Sequence, residues 1–87
     1  MALHFFHVHN GREFVDTVGS DLPDLAAVRR EAQTSAAELL RGRCPGLWSG
    51  GDWRMVVTDA GGHEVLTLRF CATQAQAVAP LAELVGA

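Results

Sequence analysis

The chain has 87 residues, 48% hydrophobic and 20% charged, with a formal net charge of −3. These figures describe one small globular domain rather than a disordered segment or a two-domain protein, and the acidic balance speaks against a general nucleic-acid binder. No apolar run approaches the roughly 20 residues of a membrane span. The opening MALHFFHVHNGR carries histidines inside its apolar stretch and no small-residue cleavage site, so a cytoplasmic protein is expected.

In chain order, Leu3–His9 (LHFFHVH) is rich in aromatic and β-favouring residues and predicts a strand. Asn10-Gly11 predicts a two-residue hairpin loop, because a type I′ turn needs positive φ at both central positions. Glu13–Val18 reads as the returning strand, broken by Gly19-Ser20-Asp21. Asp21 is then placed to cap a helix with Pro23 in its first turn, running from about Leu22 to Arg41. Leu25, Val28, Ala32, Ala36 and Leu39 form one stripe at helical spacing, Leu40 widens it, and Gly42 is a natural stop. After the loop RGRCPGLWSGG, Asp52–Asp59 and His63–Cys71 predict a second hairpin around Ala60-Gly61-Gly62. The Ala-rich tail has Val78, Leu81, Leu84 and Val85, and Pro80 limits it to a short helix or a loosely helical arm. The expected fold is α+β: a four-stranded antiparallel ββαββ sheet with one long helix on one face, a core over 3–71 and a C-terminal helical arm over 72–87.

The second hairpin has only one register that buries its apolar residues together. Val57 faces Leu66, Met55 faces Leu68 and Trp53 faces Phe70, and a one-residue slip would set each against a polar residue. That face belongs under the helix. The opposite face carries Arg54 near Arg69, Val56 near Thr67 and Thr58 near Val65. In the first hairpin, Phe6, Val8 and Val15 are expected to join the core. With a two-residue loop, Phe5, His7, His9, Phe14 and Asp16 then fall on the second face, and a three-residue loop would exchange faces on one strand. A half-apolar second face with several aromatics calls for a cover: the C-terminal arm, a homodimer or another protein. The residues expected to bind a partner there are Phe5, Phe14, Arg54, Val56 and Arg69.

Three of the four histidines, His4, His7 and His9, lie close together in the first strand. His7 and His9 share a strand face, and with Asp16 they form a candidate set for zinc or another transition metal. The competing reading is a His7–Asp16 hydrogen-bonded pair with a structural role. No Ser or Cys nucleophile is placed beside it by a local motif, so catalysis is not favoured. All seven basic residues are arginine. Arg54 and Arg69, opposed across strands, repel unless an anion, Asp16 or Glu13 lies between them. Arg29-Arg30 reads as a solvated face, and Trp48 and Trp53 as closing one end of the core or forming a binding lip. Gly50-Gly51 lacks the lysine and the spacing of a phosphate-binding loop. Cys44 and Cys71 have no framework spacing and read as reduced thiols.

Phe5-Phe6-His7 followed by Gly11, Asp16 followed by Gly19, and Leu22-Pro23-Asp24-Leu25 form a pattern that closes on Trp53–Asp59, Gly62 and Leu68-Arg69-Phe70. Over Leu3–Phe70 the chain resembles a family of small proteins, common in rhizobia and other alphaproteobacteria, grouped as a domain of unknown function. The resemblance implies a cytoplasmic ββαββ domain without an established activity. His7 and Asp16 match family positions, whereas His4 and His9 depart from them, which separates a three-histidine metal site from what the family shares. There is a looser similarity to HicB-type antitoxin domains, which also place a helix after a β-hairpin, but no DNA-binding segment follows here. The function expected is a non-enzymatic interaction module. The alternatives are a small-ligand or metal-binding domain on His7, His9 and Asp16, and an antitoxin-like or inhibitor-type regulatory protein.

Overall fold

In the computed structural model, residues 2–42, 47–48 and 52–73 are described. Five strands and one helix follow in the order β1 (Ala2–His9), β2 (Glu13–Phe14), β3 (Ser20–Leu22), α1 (Leu25–Arg41), β4 (Trp53–Asp59) and β5 (Glu64–Phe70). The class is α+β with an antiparallel sheet, as expected, but with five strands rather than four. The sheet runs β2-β1-β4-β5, and β3 pairs with β1 as well. The C-terminal arm beyond Thr73 lies outside the described residues, as does Cys44.

The second hairpin adopts the register its apolar pattern selects: Trp53 opposite Phe70, Met55 opposite Leu68 and Val57 opposite Leu66. Burial alternates along β4. Trp53, Met55 and Val57 are buried, while Arg54 and Val56 between them and Thr58 after them are half-buried. This is the period-two signature of a strand with one face in the core. The register shifts after Val57, so that Thr58 pairs with Glu64 rather than Val65. Such a bulge adds one residue to one strand and re-aims its neighbours. The turn beyond is held by Asp59, whose Oδ1 accepts from the Gly61 and His63 amides, each at 2.9 Å. Gly62 takes φ +82°, where a side chain would be strained.

The first hairpin departs from expectation in two places. His9 pairs with Glu13 and Val8 with Phe14, so the loop is Asn10-Gly11-Arg12, three residues, with Gly11 at φ +94°. The extra residue exchanges faces on the returning strand: Glu13 joins His9, and Phe14 stands opposite Val8 rather than beside Phe5 and His7. The returning strand is also cut in two. β2 ends at Phe14, residues 15–19 leave the ladder, and β3 resumes with Ser20 opposite His4 and Leu22 opposite Ala2. Val15, expected in the core, is in this excursion and 64% exposed.

Drawing Asp21 and Leu22 into β3 also moves the helix start. Asp24, in extended conformation, is the N-cap; its Oδ1 accepts from the Ala27 amide at 2.8 Å. Pro23 therefore precedes the cap instead of sitting inside the first turn. Arg41 is the one basic residue of the last turn, and Gly42 ends the helix at φ −86°, without a left-handed cap.

Val28, Ala32 and Ala36 of α1 meet Trp53, Met55 and Val57 of β4 in the buried core. Phe6, Val8, Leu22, Leu40, Leu66 and Leu68 pack around it. Two alanines on the helix stripe let α1 approach the sheet closely beside the large Trp53 and Met55 side chains. The ends of the expected stripe are not core: Leu25 is 48% and Leu39 46% exposed. Trp53 meets Phe70 edge-to-face with ring centroids 5.5 Å apart. Trp48, by contrast, is exposed.

Candidate functional site

The face of the sheet away from α1 is set by the strand registers. His7 stands opposite Val56, Phe5 opposite Thr58 and His9 opposite Arg54 on β1 and β4; Val56 faces Thr67 and Arg54 faces Arg69 on β4 and β5. Of the residues expected to bind a partner, Phe5, Arg54, Val56 and Arg69 therefore share one face. Phe14 does not: it pairs with Val8 and is 52% exposed at the sheet edge. It still lines, with His9, Arg54 and Val56, a hollow of about 220 Å³ where β1, β2 and β4 meet.

Asp16 and His7 are brought together, as a hydrogen-bonding hub. The Asp16 amide donates to His7 Nδ1 at 3.1 Å, and His7 Nε2 lies 3.0 Å from Thr58 Oγ1. Because Nδ1 accepts, the ring proton is on Nε2 and is donated to the threonine hydroxyl. Asp16 Oδ2 accepts from the Phe6 amide at 3.1 Å, and Oδ1 accepts from the Val18 and Gly19 amides, each at 3.0 Å. The carboxylate thus supplies Phe6 with the acceptor that the interrupted strand does not. Burial acts to raise the Asp16 pKa, but the Gly19, Phe6 and Val18 amides and the adjacent His7 ring outweigh it and hold the carboxyl below its usual 3.8. Gly19 is part of the same arrangement. At φ +78°, a Cβ there would lie 2.9 Å from Phe5 Cε1 and 3.1 Å from the His4 carbonyl oxygen.

These bonds use both ring nitrogens of His7 and both oxygens of Asp16. His9 stands apart, with Nδ1 buried and unpartnered and 3.8 Å from Glu13 Oε1. Among the described residues, no group of three or more His, Cys, Asp or Glu side chains is placed to hold a metal ion. His4 turns toward its own strand, with Nδ1 3.0 Å from the Ala2 carbonyl oxygen.

The opposed arginines are separated by different means from those expected. Arg69 is paired with Asp52, not with Asp16 or Glu13, and Arg54 Nε is buried without a partner. Asp52 was legible in principle. Trp53 opposite Phe70 sets Asp52 opposite Cys71 and diagonal to Arg69 on the same face. Cys71 is an exposed free thiol.

The chain matches a protein family over residues 3–71, a span that takes in the helix and every strand but for the first residue of β1. It belongs to DUF6894, a domain of unknown function. The match agrees with the resemblance in pointing to a domain of unknown function over nearly the same span, and assigns the family no activity. No curated protein and no solved structure matches the chain. Among the described residues no helix is long and apolar enough to cross a membrane.

Proposed function

We propose that this domain is a non-enzymatic interaction module that binds another protein through the sheet face opposite α1. One observation carries the reading. α1 covers one side of the sheet, while the other presents Phe5 and Val56 beside Arg54 and Arg69, half-buried or exposed, with only the 15–19 segment described against its β1 end. Phe5 and Val56 are only partly covered within the chain, and the apolar surface they still show gains from a partner's cover. Asp52 already holds Arg69, so the cation left to the face is Arg54, whose Nε is buried without a partner, and this favours a partner that brings an acidic group to an apolar surface. His7 and Asp16 serve this reading as supports: they lock β1 and the 15–19 segment, and so hold Phe5 in place. With their polar atoms already bonded within the chain, they do not favour the ligand or metal reading.

The test is native mass spectrometry of the tagged protein recovered from its own cells, beside an Arg54→Glu/Val56→Glu variant. A discrete stoichiometric protein on the wild type that is lost from the folded variant is the expected result. A partner retained by the variant, or none on the wild type, overturns the reading.

A further inference from the structure

A second surface lies at right angles to that face, along the outer edge of β5. β5 is the last strand of the sheet and, among the described residues, pairs with β4 alone. Charged side chains, a usual protection against strand pairing, stand only near its two ends, at Glu64 and Arg69, and residues 65–68 between them carry none and no proline. Beneath the same edge, α1 leaves a cleft of about 600 Å³ lined by Ala32, Ala37, Leu40, Leu66, Leu68 and Phe70. Among the described residues, an open hydrogen-bonding edge and an uncovered apolar cleft thus coincide.

The charges on β5 say which strand fits there. Glu64 stands at one end and Arg69 at the other. The bulge after Val57 turns Glu64 to the face of Thr58 and Thr67, where Thr67 Oγ1 donates to its Oε1. By parity Arg69, opposite Arg54, lies on that face too. Within one chain the two are roughly 15–17 Å apart along the strand and cannot pair. In an antiparallel self-pairing the ends exchange, and each Arg69 comes beside the Glu64 of the other copy.

We infer that the chain forms a two-fold homodimer by antiparallel pairing of β5 with β5 of a second copy, centred on Thr67. In this register Leu66 of each copy faces Leu68 of the other on the helix side, across the mouths of the two clefts. Arg69 keeps Asp52 on one side and receives the other copy's Glu64 on the next, a load its several donors can carry. The two sheets become one, and the face opposite α1 doubles in width. The inference does not rest on that face being a binding site, since the edge and the cleft carry it.

Native mass spectrometry and analytical ultracentrifugation of the full chain at micromolar concentration test it. The wild type is a dimer. Arg69→Glu and Glu64→Arg each place like charges across the two-fold twice and weaken self-association about tenfold. Mixed, the two single variants form heterodimers of wild-type strength, because each acid then lies diagonal to an arginine across the seam. Val56→Glu, on β4 and the open face, leaves the dimer intact. A monomeric wild type, a dimer indifferent to both reversals, a mixture without heterodimers, or a dimer dissolved by Val56→Glu overturns the inference. The last outcome would move self-association to the open face, and the first three leave the partner-binding reading of that face standing.

Discussion

Asp16 shows how one side chain can replace a stretch of ladder. Five residues leave the sheet between β2 and β3, and the Phe6 amide facing the gap is met by Asp16 Oδ2. The replacement depends on charge, since an asparagine amide nitrogen cannot accept from Phe6. Asp16→Asn is therefore expected to lose about 1.5–3 kcal/mol of stability in urea unfolding, the range for hydrogen bonds to a charged group. The pH dependence follows from the direction of the shift. The folded pKa lies below the unfolded value, so the carboxylate's contribution is complete above the usual 3.8 and is lost as pH falls through the lower folded value. The gap between wild type and Asp16→Asn should narrow on acidification below about pH 4 and stay flat from there toward neutrality. A gap that widened with acid would contradict this role.

At the scale of elements, the start of α1 illustrates how a local signal with two solutions is resolved. Asp21 and Asp24 are both good caps by residue type, and Pro23 is tolerated at either start. Pairing of Ser20–Leu22 with β1 and packing of Leu22 against the core take the first aspartate out of competition. Asp24→Ala should cost about 0.5–2 kcal/mol, the usual loss for a cap, and Asp21→Ala, exposed on a short edge strand, less than about 0.5. Equal losses, or the reverse order, in thermal unfolding would put the cap at Asp21. The first hairpin makes the same point. Asn10-Gly11 marks the turn correctly, yet the loop takes in Arg12, and that one residue moves Phe14 from one face to the other.

At the scale of the whole molecule, the sheet separates two chemistries by parity alone. Met55 is buried against α1 while its neighbour Val56 faces the other way. Met55→Ala should cost about 2–5 kcal/mol, whereas Val56→Ala should cost no more than about 1 and act chiefly on binding of the partner protein. Denaturation midpoints of the two variants, measured side by side at constant slope, check this. Comparable destabilisation by Val56→Ala would mean that the second face is itself packed within the chain.

The amino-acid pattern alone yields the α+β class, the existence of both hairpins, the register of β4 with β5 as far as Val57 and the core stripe from Val28 to Ala36. Each follows from short-range periodicity, in which the residues that decide an element lie within it or directly across a tight turn. It also marked His7 and Asp16 as a pair, and Phe5, Arg54, Val56 and Arg69 as sharers of a face. The tertiary fold was needed to place β1 between β4 and the split partner formed by β2 and β3, and to turn Asp16 onto backbone amides. These depend on which distant segments compete for the same edge of β1, and no local pattern carries that competition. Once β4 takes one edge and the returning strand breaks on the other, the hub of His7 and Asp16 follows.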